Sequence, residues 1–220
     1  MSSLVLVIGN KNYSSWSLRP WVFLRQSGLA FEERRLPLDT PQFRSEIARW
    51  SPSLRVPVLH DGDLAIWDSL AICDYASRVH LQGRGWPRER RALAAALSAS
   101  AEMHSGFGAL RSQLPMNCRR RPDAYRWDAD AQRDIDRVQA LWRELRGAHG
   151  AGGNFLCGEF GIVDAMFAPV ALRFRGYGVD CDPVSKAYRD ALLGLPALRE
   201  WDAAAAAEAE QIEKYEALAR

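Results

Sequence analysis

Arg55-Val56-Pro57-Val58-Leu59-His60-Asp61-Gly62-Asp63-Leu64-Ala65-Ile66-Trp67-Asp68-Ser69 is the stretch whose reading decides the fold. Residues 55–59 read as a short strand that carries a proline. Asp61-Gly62-Asp63 is a hairpin turn signal, and 64–67 complete the hairpin. A proline inside a strand assigns that strand to an edge or a bulge. Beyond Asp68-Ser69, the apolar residues Ile72, Tyr75, Ala76 and Val79 recur at the spacing of one helix face.

Toward the N-terminus, Leu4-Val5-Leu6-Val7-Ile8 is an unbroken apolar run stopped by Gly9-Asn10. It reads as a strand buried on both faces. Residues 16–26 read as a helix ended by Ser27-Gly28. Pro20 lacks an N–H, so it is expected in the first turn, which sets the helix start near 15–17 with a serine cap. Residues 31–36 read as a second strand, and 42–50 as a short helix stopped by Ser51-Pro52. The order is β-α-β-α-β-β-α over residues 1–80.

Beyond residue 80 the texture changes. Leu81-Gln82-Gly83-Arg84-Gly85-Trp86-Pro87 reads as a linker, and residues 88–220 carry no convincing strand. Residues 88–114 read as one long helix ended by Pro115. A second helix spans 123–146 and ends at the Gly-rich loop 147–153. Residues 163–175 are apolar enough for a central buried helix, with Pro169 as an expected kink. Two or three shorter helices follow from Pro183. The fold class expected is an α/β first domain (1–80), a linker (81–87) and an all-α second domain (88–220).

The 220 residues are 48% hydrophobic and 25% charged, which excludes a disordered chain. The net charge of +2 provides no global field for a nucleic-acid partner. Cys73, Cys118, Cys157 and Cys181 are scattered, so neither a zinc site nor a disulfide framework is expected. No apolar run is long enough to span a membrane. Residues 1–10 lack a signal peptide's charged head and long apolar stretch. With free thiols, that gives a cytoplasmic expectation.

Three places carry chemistry. Tyr13-Ser14-Ser15-Trp16-Ser17 sits between the first strand and the first helix. A ligand thiol at that helix N-terminus would be favoured as thiolate; alternatively, the serines only cap the helix. A cis Val56–Pro57 bond would turn the Val56 backbone toward an extended peptide; alternatively, it is a trans edge proline. Asp68-Ser69 opens a helix and suits an amino acid's α-amine and α-carboxylate, or is again only a cap. In the second half, Glu102-Met103-His104-Ser105-Gly106-Phe107-Gly108-Ala109-Leu110-Arg111 contains two glycines costing about 1 kcal/mol each inside a helix. Such a cost points to close approach by a backbone or ligand. In one continuous helix His104, Gly108 and Arg111 share a face. Arg119-Arg120-Arg121-Pro122 is expected to be a solvated loop. Arg173 and Arg175 could reach a substrate carboxylate or cap their helix.

These segments, in this order, resemble the glutathione S-transferase superfamily. Ser14-Ser15-Trp16-Ser17-Leu18-Arg19 is similar to the serine motif of the zeta class, whose members include maleylacetoacetate isomerases. Ser51-Pro52-Ser53-Leu54-Arg55-Val56-Pro57-Val58-Leu59 resembles the family's cis-proline segment, and Asp68-Ser69-Leu70-Ala71-Ile72 its acidic-or-Gln-Ser-x-Ala-Ile segment. Phe155-Leu156-Cys157-Gly158 with Val163-Asp164-Ala165 resembles its turn and buried helix. Two positions depart from the pattern. Trp16 stands where the zeta motif has cysteine, and Gly161 stands where the buried helix has a Ser/Thr cap.

The resemblance implies a thioredoxin-like domain that binds glutathione and a helical domain that completes an electrophile pocket. Ser14, with Ser15 as the close alternative, would hydrogen-bond the thiolate. Val56 would pair with the cysteinyl backbone, and Asp68 and Ser69 would hold the γ-glutamyl end. Trp16, Arg55 and Pro57 complete that set, with Trp67 beside it. His104, Phe107 and Arg111 would face the electrophile, Arg111 holding an acidic group. The activity implied is glutathione transfer or glutathione-dependent isomerisation, with glutathione as cosubstrate, no metal, and a homodimer. The alternatives are a non-catalytic binding module and a glutathione-dependent peroxidase.

Overall fold

The computed structural model describes residues 4–122 and 124–216. Its first half is a four-stranded sheet with helices on both faces. The elements are β1 (Leu4–Ile8), α1 (Ser15–Gln26), β2 (Glu32–Arg35), α2 (Pro41–Trp50), β3 (Val58–Asp61), β4 (Leu64–Trp67) and α3 (Ser69–His80). The strand order is β2-β1-β3-β4. β1 runs parallel to β2 and antiparallel to β3, and β3 pairs antiparallel with β4.

The apolar run of β1 follows from this layering, because successive side chains point to opposite faces. Leu4, Leu6 and Ile8 enter the main core with α1 and α3. Val7 enters a second cluster with Leu36, Ile47 and Val58. The hairpin turns at Gly62, which takes φ +62, between the paired residues Asp61 and Leu64. The proline-bearing strand differs from expectation. β3 starts at Val58, immediately after a cis Val56–Pro57 bond. It is an interior strand, so Pro57, which has no N–H to give the ladder, stands before it rather than in it. Pro20 also lies deeper than expected, in the second turn of α1, where it cannot donate to the Trp16 carbonyl.

The second half is helical: α4 (Arg90–Ser105), α5 (Gly108–Gln113), α6 (Ala129–His149), α7 (Ile162–Tyr177), α8 (Pro183–Leu193), α9 (Pro196–Ala207) and α10 (Glu213–Glu216). The expected single helix over 88–114 is two. Gly106 caps α4, and Phe107 adopts a left-handed φ of +59 before α5 begins. The two glycines therefore mark a helix break. The shared face assigned to His104, Gly108 and Arg111 does not exist. The expected start of the next helix, Asp123, lies outside the described residues; α6 begins after an Asp128 cap.

α7 is buried over all its length except Arg175, which explains its apolar composition. Asp164 holds its N-terminus: Oδ2 accepts from Gly161 N–H at 2.9 Å, and Oδ1 from Leu156 N–H at 3.0 Å and the Tyr188 hydroxyl at 2.9 Å. Gly161 needs no side chain at the cap, because Asp164 reaches back to its N–H. α7 packs on both α1 and α4, and one core runs from Leu6 and Ile8 to Phe174 and Trp201. That shared core sets the N-terminus of α1 against the C-terminal half of α7.

Candidate functional site

A cleft of about 370 Å³ opens where α1, the loop before β3, α5 and α7 meet. Ser14, Ser15, Trp16, Arg55, Val56 and Arg111, six of the residues expected to bind glutathione or the electrophile, all line it. Arg173 and Tyr215 line it too. A larger cavity of about 520 Å³ lies beside Tyr125, Trp127 and Tyr177, but holds none of the sequence-selected residues.

The two candidate serines differ in what their hydroxyls do. The buried Ser14 hydroxyl donates to Ser17 Oγ at 2.8 Å, and Ser17 Oγ accepts from Gly9 N–H at 3.1 Å. Ser14 is thus tied into the loop that joins β1 to α1. Ser15, half-buried at the first position of α1, accepts instead from Arg173 Nη2 at 3.3 Å. An accepted bond leaves its own O–H free to donate.

Around this point the charge is positive. Trp16 lies between two guanidiniums, Arg19 at 4.3 Å and Arg111 at 4.4 Å from its ring centre. Such contacts contribute about 0.5–1 kcal/mol when exposed and more when desolvated. Arg111 is held further by Nη1 bonds to the His104 and Gly106 carbonyls at 3.3 and 3.4 Å. Among the described residues no carboxylate pairs with Arg19, Arg111 or Arg173. Burial, then the neighbouring Arg111 and Arg173, push Arg19 down to about 9. Burial, then Arg111, push Arg173 down to about 10. All three remain cationic at neutral pH.

Asp68, Ser69, His104 and Phe107 do not line the cleft. Asp68 caps α3, its Oδ1 accepting from Leu70 N–H at 2.9 Å and Ala71 N–H at 3.3 Å. Its Oδ2 lies 3.1 Å from His104 Nε2. His104 meets the edge of Trp16 at 5.2 Å between ring centres. Burial lowers the His104 pKa; Asp68 opposes that shift, and Arg19 and Arg111 add to it. Ser69 is fully enclosed and its hydroxyl accepts from Arg19 at 3.4 Å. Phe107, expected at the electrophile site, is 6% exposed and packs in the main core. Trp67 is half exposed on the edge strand β4.

Comparison with known proteins finds likenesses to the first part of the chain and to the whole fold. Residues 13–79 match the glutathione S-transferase N-terminal domain. A curated relative, a dichloromethane dehalogenase of Methylophilus leisingeri, is 33% identical over 69 residues, 29% of this chain and 25% of the dehalogenase. The match thus spans about a quarter of that relative's length. A Burkholderia glutathione transferase homologue, solved with bound glutathione, aligns over 94% of this chain and 100% of its own at a TM-score of 0.69 and 21% identity. A theta-class glutathione S-transferase of Xanthomonas axonopodis pv. citri, also with glutathione bound, aligns over 91% and 97% at 0.65 and 22%. The fold, a thioredoxin-like sheet unit followed by a helical domain, is that of these transferases.

The residues that match the glutathione S-transferase N-terminal domain include Ser14, Ser15, Val56, Asp68 and Ser69, while Arg111, Arg173 and Tyr215 come from outside the match. Arg19 carries no expected role, although Trp16 and Arg19 are three apart on one helix face. Tyr215 had no local signal at all. It stacks on Tyr13 at 5.6 Å, and the Tyr13 hydroxyl donates to Glu216 and accepts from Arg119 at 2.7 Å. That overturns the solvated expectation for Arg119 and Arg120, while Arg121 is exposed on the loop as expected. Arg119 grips the C-terminal segment through the Glu208 carbonyl at 2.6 Å, and the Arg120 guanidinium lies 4.1 Å from the Tyr177 ring centre. Among the described residues no group of side chains is placed to hold a metal ion, and no helix is long and apolar enough to cross a membrane.

Proposed function

We propose that the protein is a glutathione transferase that binds glutathione in this cleft, favours its thiolate at Ser15, and directs it at a small electrophile. One observation carries the reading: the Ser15 hydroxyl, in the first turn of α1, opens into the same cleft as Val56 and two uncompensated guanidiniums. A helix N-terminus and nearby cations both favour a thiolate over a thiol. Ser15 is favoured over Ser14 because the Ser14 hydroxyl is spent on Ser17. The Val56 backbone would pair with the cysteinyl unit, with Arg55 and Trp16 beside it. Asp68 would take the γ-glutamyl ammonium through the oxygen now facing His104. Ser69, at the first position of α3, would meet the γ-glutamyl carboxylate through its N–H, its enclosed hydroxyl already accepting from Arg19.

The thiolate attacks an electrophilic carbon and the leaving group departs with the bonding electrons. Arg111 would hold an acidic group of that electrophile. An isomerase form, in which the thiolate adds to a conjugated double bond and leaves after rotation, uses the same machinery. Trp16 in place of the zeta cysteine weighs against it. A peroxidase form needs only the bound thiolate. The protein's own thiols do not serve it: none of the four lines the cleft, and burial pushes each of them upward. A cytoplasmic homodimer acting in detoxification completes the reading, with the linker at 81–87. The half-exposed Leu64 and Trp67 on the sheet edge support a dimer face.

Calorimetric titration with glutathione, beside turnover of an aryl halide, a hydroperoxide and a mixed disulfide, tests this. Binding with aryl-halide turnover supports the transferase. Hydroperoxide turnover alone selects the peroxidase, and binding with no turnover the non-catalytic module. No binding removes the functional reading.

A further inference from the structure

We propose that Arg173 positions the Ser15 hydroxyl and charges the thiol site, so that thiolate formation depends on a residue outside the glutathione S-transferase N-terminal domain. This rests on the glutathione reading above. Arg173 leaves the buried face of α7 with its side chain enclosed, at 6% exposure. Its Nε donates to the Leu114 carbonyl at 2.8 Å, which fixes the plane of the guanidinium. Nη2 then reaches across to Ser15 Oγ at 3.3 Å. Thus the residue bridges the helical domain and the first turn of α1.

Burying a guanidinium is costly unless a counter-charge or a full set of acceptors offsets it. Two residues on, Arg175 has such an offset: its Nη1 and Nη2 bind the two oxygens of Asp202 at 2.7 and 2.8 Å. Arg173 has none among the described residues. Its neighbour in the cleft is another cation, Arg111, which holds its pKa down together with burial. An anion arriving in the cleft is therefore stabilised before it makes any direct contact.

The route to the sulfur is Ser15. A hydroxyl has one proton and can accept two bonds. Accepting from a guanidinium directs the proton elsewhere and polarises the O–H, which strengthens its donation to a thiolate. The thiol proton leaves to solvent, and Arg173 gains and loses nothing. Ser14 has no such partner; its hydroxyl donates to Ser17.

The test is an ultraviolet titration of the thiolate of bound glutathione across pH, in the wild type, Arg173→Met, Arg173→Lys, Ser15→Ala and the Ser15→Ala/Arg173→Lys double variant. Calorimetry gives each dissociation constant. Wild type is expected to form thiolate well below the pKa of free glutathione. Arg173→Met is expected to lose about tenfold of the thiolate at fixed pH, one pKa step, with affinity changed less than threefold. Arg173→Lys should keep part of the effect. The double variant should lose little more than Ser15→Ala alone. Should the methionine variant fail to fold by circular dichroism, the lysine variant and its double carry the test. An unchanged thiolate titration in the folded Arg173 variants, or fully additive losses, overturns the assignment and leaves the transferase reading intact. Glutathione failing to bind the wild type removes both.

Discussion

Arg111→Ala gives the sharpest test of which electrophile the cleft accepts. The guanidinium stacks on Trp16 and uses Nη1 on two carbonyls of the α4 C-terminus. The rest of its fork is left for a ligand. A hydrogen bond to a charged group contributes about 1.5–3 kcal/mol. Arg111 is only half-buried, so the lower part of that range applies, about 1.5–2 kcal/mol. At about 1.4 kcal/mol per tenfold, the loss in kcat/KM for a carboxylated electrophile is about 10–30-fold. The substitution also removes a stacking contact worth about 0.5–1 kcal/mol. That part acts on any substrate and costs about two- to fivefold. The assay is kcat/KM for two aryl halides differing only in a carboxylate, measured on wild type, Arg111→Ala and Arg111→Lys. The acid should lose about tenfold more than its neutral partner, with the lysine between. Equal losses on both substrates would refute the argument, because Arg111 would then act only by supporting Trp16.

Three further outcomes follow from the geometry. Asp164→Ala leaves the Leu156 and Gly161 N–H groups unpaired in a fully buried site; at about 1–3 kcal/mol each, urea unfolding should show a loss of about 3–5 kcal/mol, and a loss under about 1 kcal/mol contradicts it. Burial alone would raise the Asp182 carboxyl, but bonds from the Ser185 hydroxyl and N–H and from Arg143 outweigh it and bring it to about 2. A carboxyl depressed on folding stabilises above its unfolded pKa of about 3.9, and that contribution is lost as pH falls through about 2; wild type should therefore lose about 1–2 kcal/mol more than Asp182→Asn between those pH values. His104→Ala frees Asp68 Oδ2 for the γ-glutamyl ammonium; burial lowers the His104 pKa, so the gain in glutathione affinity, up to about two- to fivefold, should grow only as pH falls toward 5.5 and below, as the imidazolium forms and competes, and be absent at pH 8. Weaker binding at pH 5.5 would mean that His104 assists the ligand.

The parts that the sequence makes legible are those fixed by near neighbours. The Leu4 to Ile8 run is readable because burial on both faces removes alternation, and the Asp61-Gly62-Asp63 turn because only glycine takes φ +62 there without strain. The Gly106 break was half legible: the glycines announced a cost, but nothing local said that Phe107 would turn left-handed. The pairings that build the site join distant residues, Asp68 to His104 and Ser15 to Arg173, and no periodicity reports them. Arg173 and Arg175 show why. Two residues apart on α7, they point about 200° apart around the helix axis. The sequence left both free to meet a substrate or cap the helix, because an arginine's role is set by the acceptor it finds. Asp202 on α9 claims Arg175 and takes it out of the chemistry. No carboxylate among the described residues claims Arg173, and the acceptor it finds is the serine that opens onto the cleft. The assignment of Arg173 is therefore a statement about where α9 and α1 lie relative to α7, which the fold supplies and the local sequence could not.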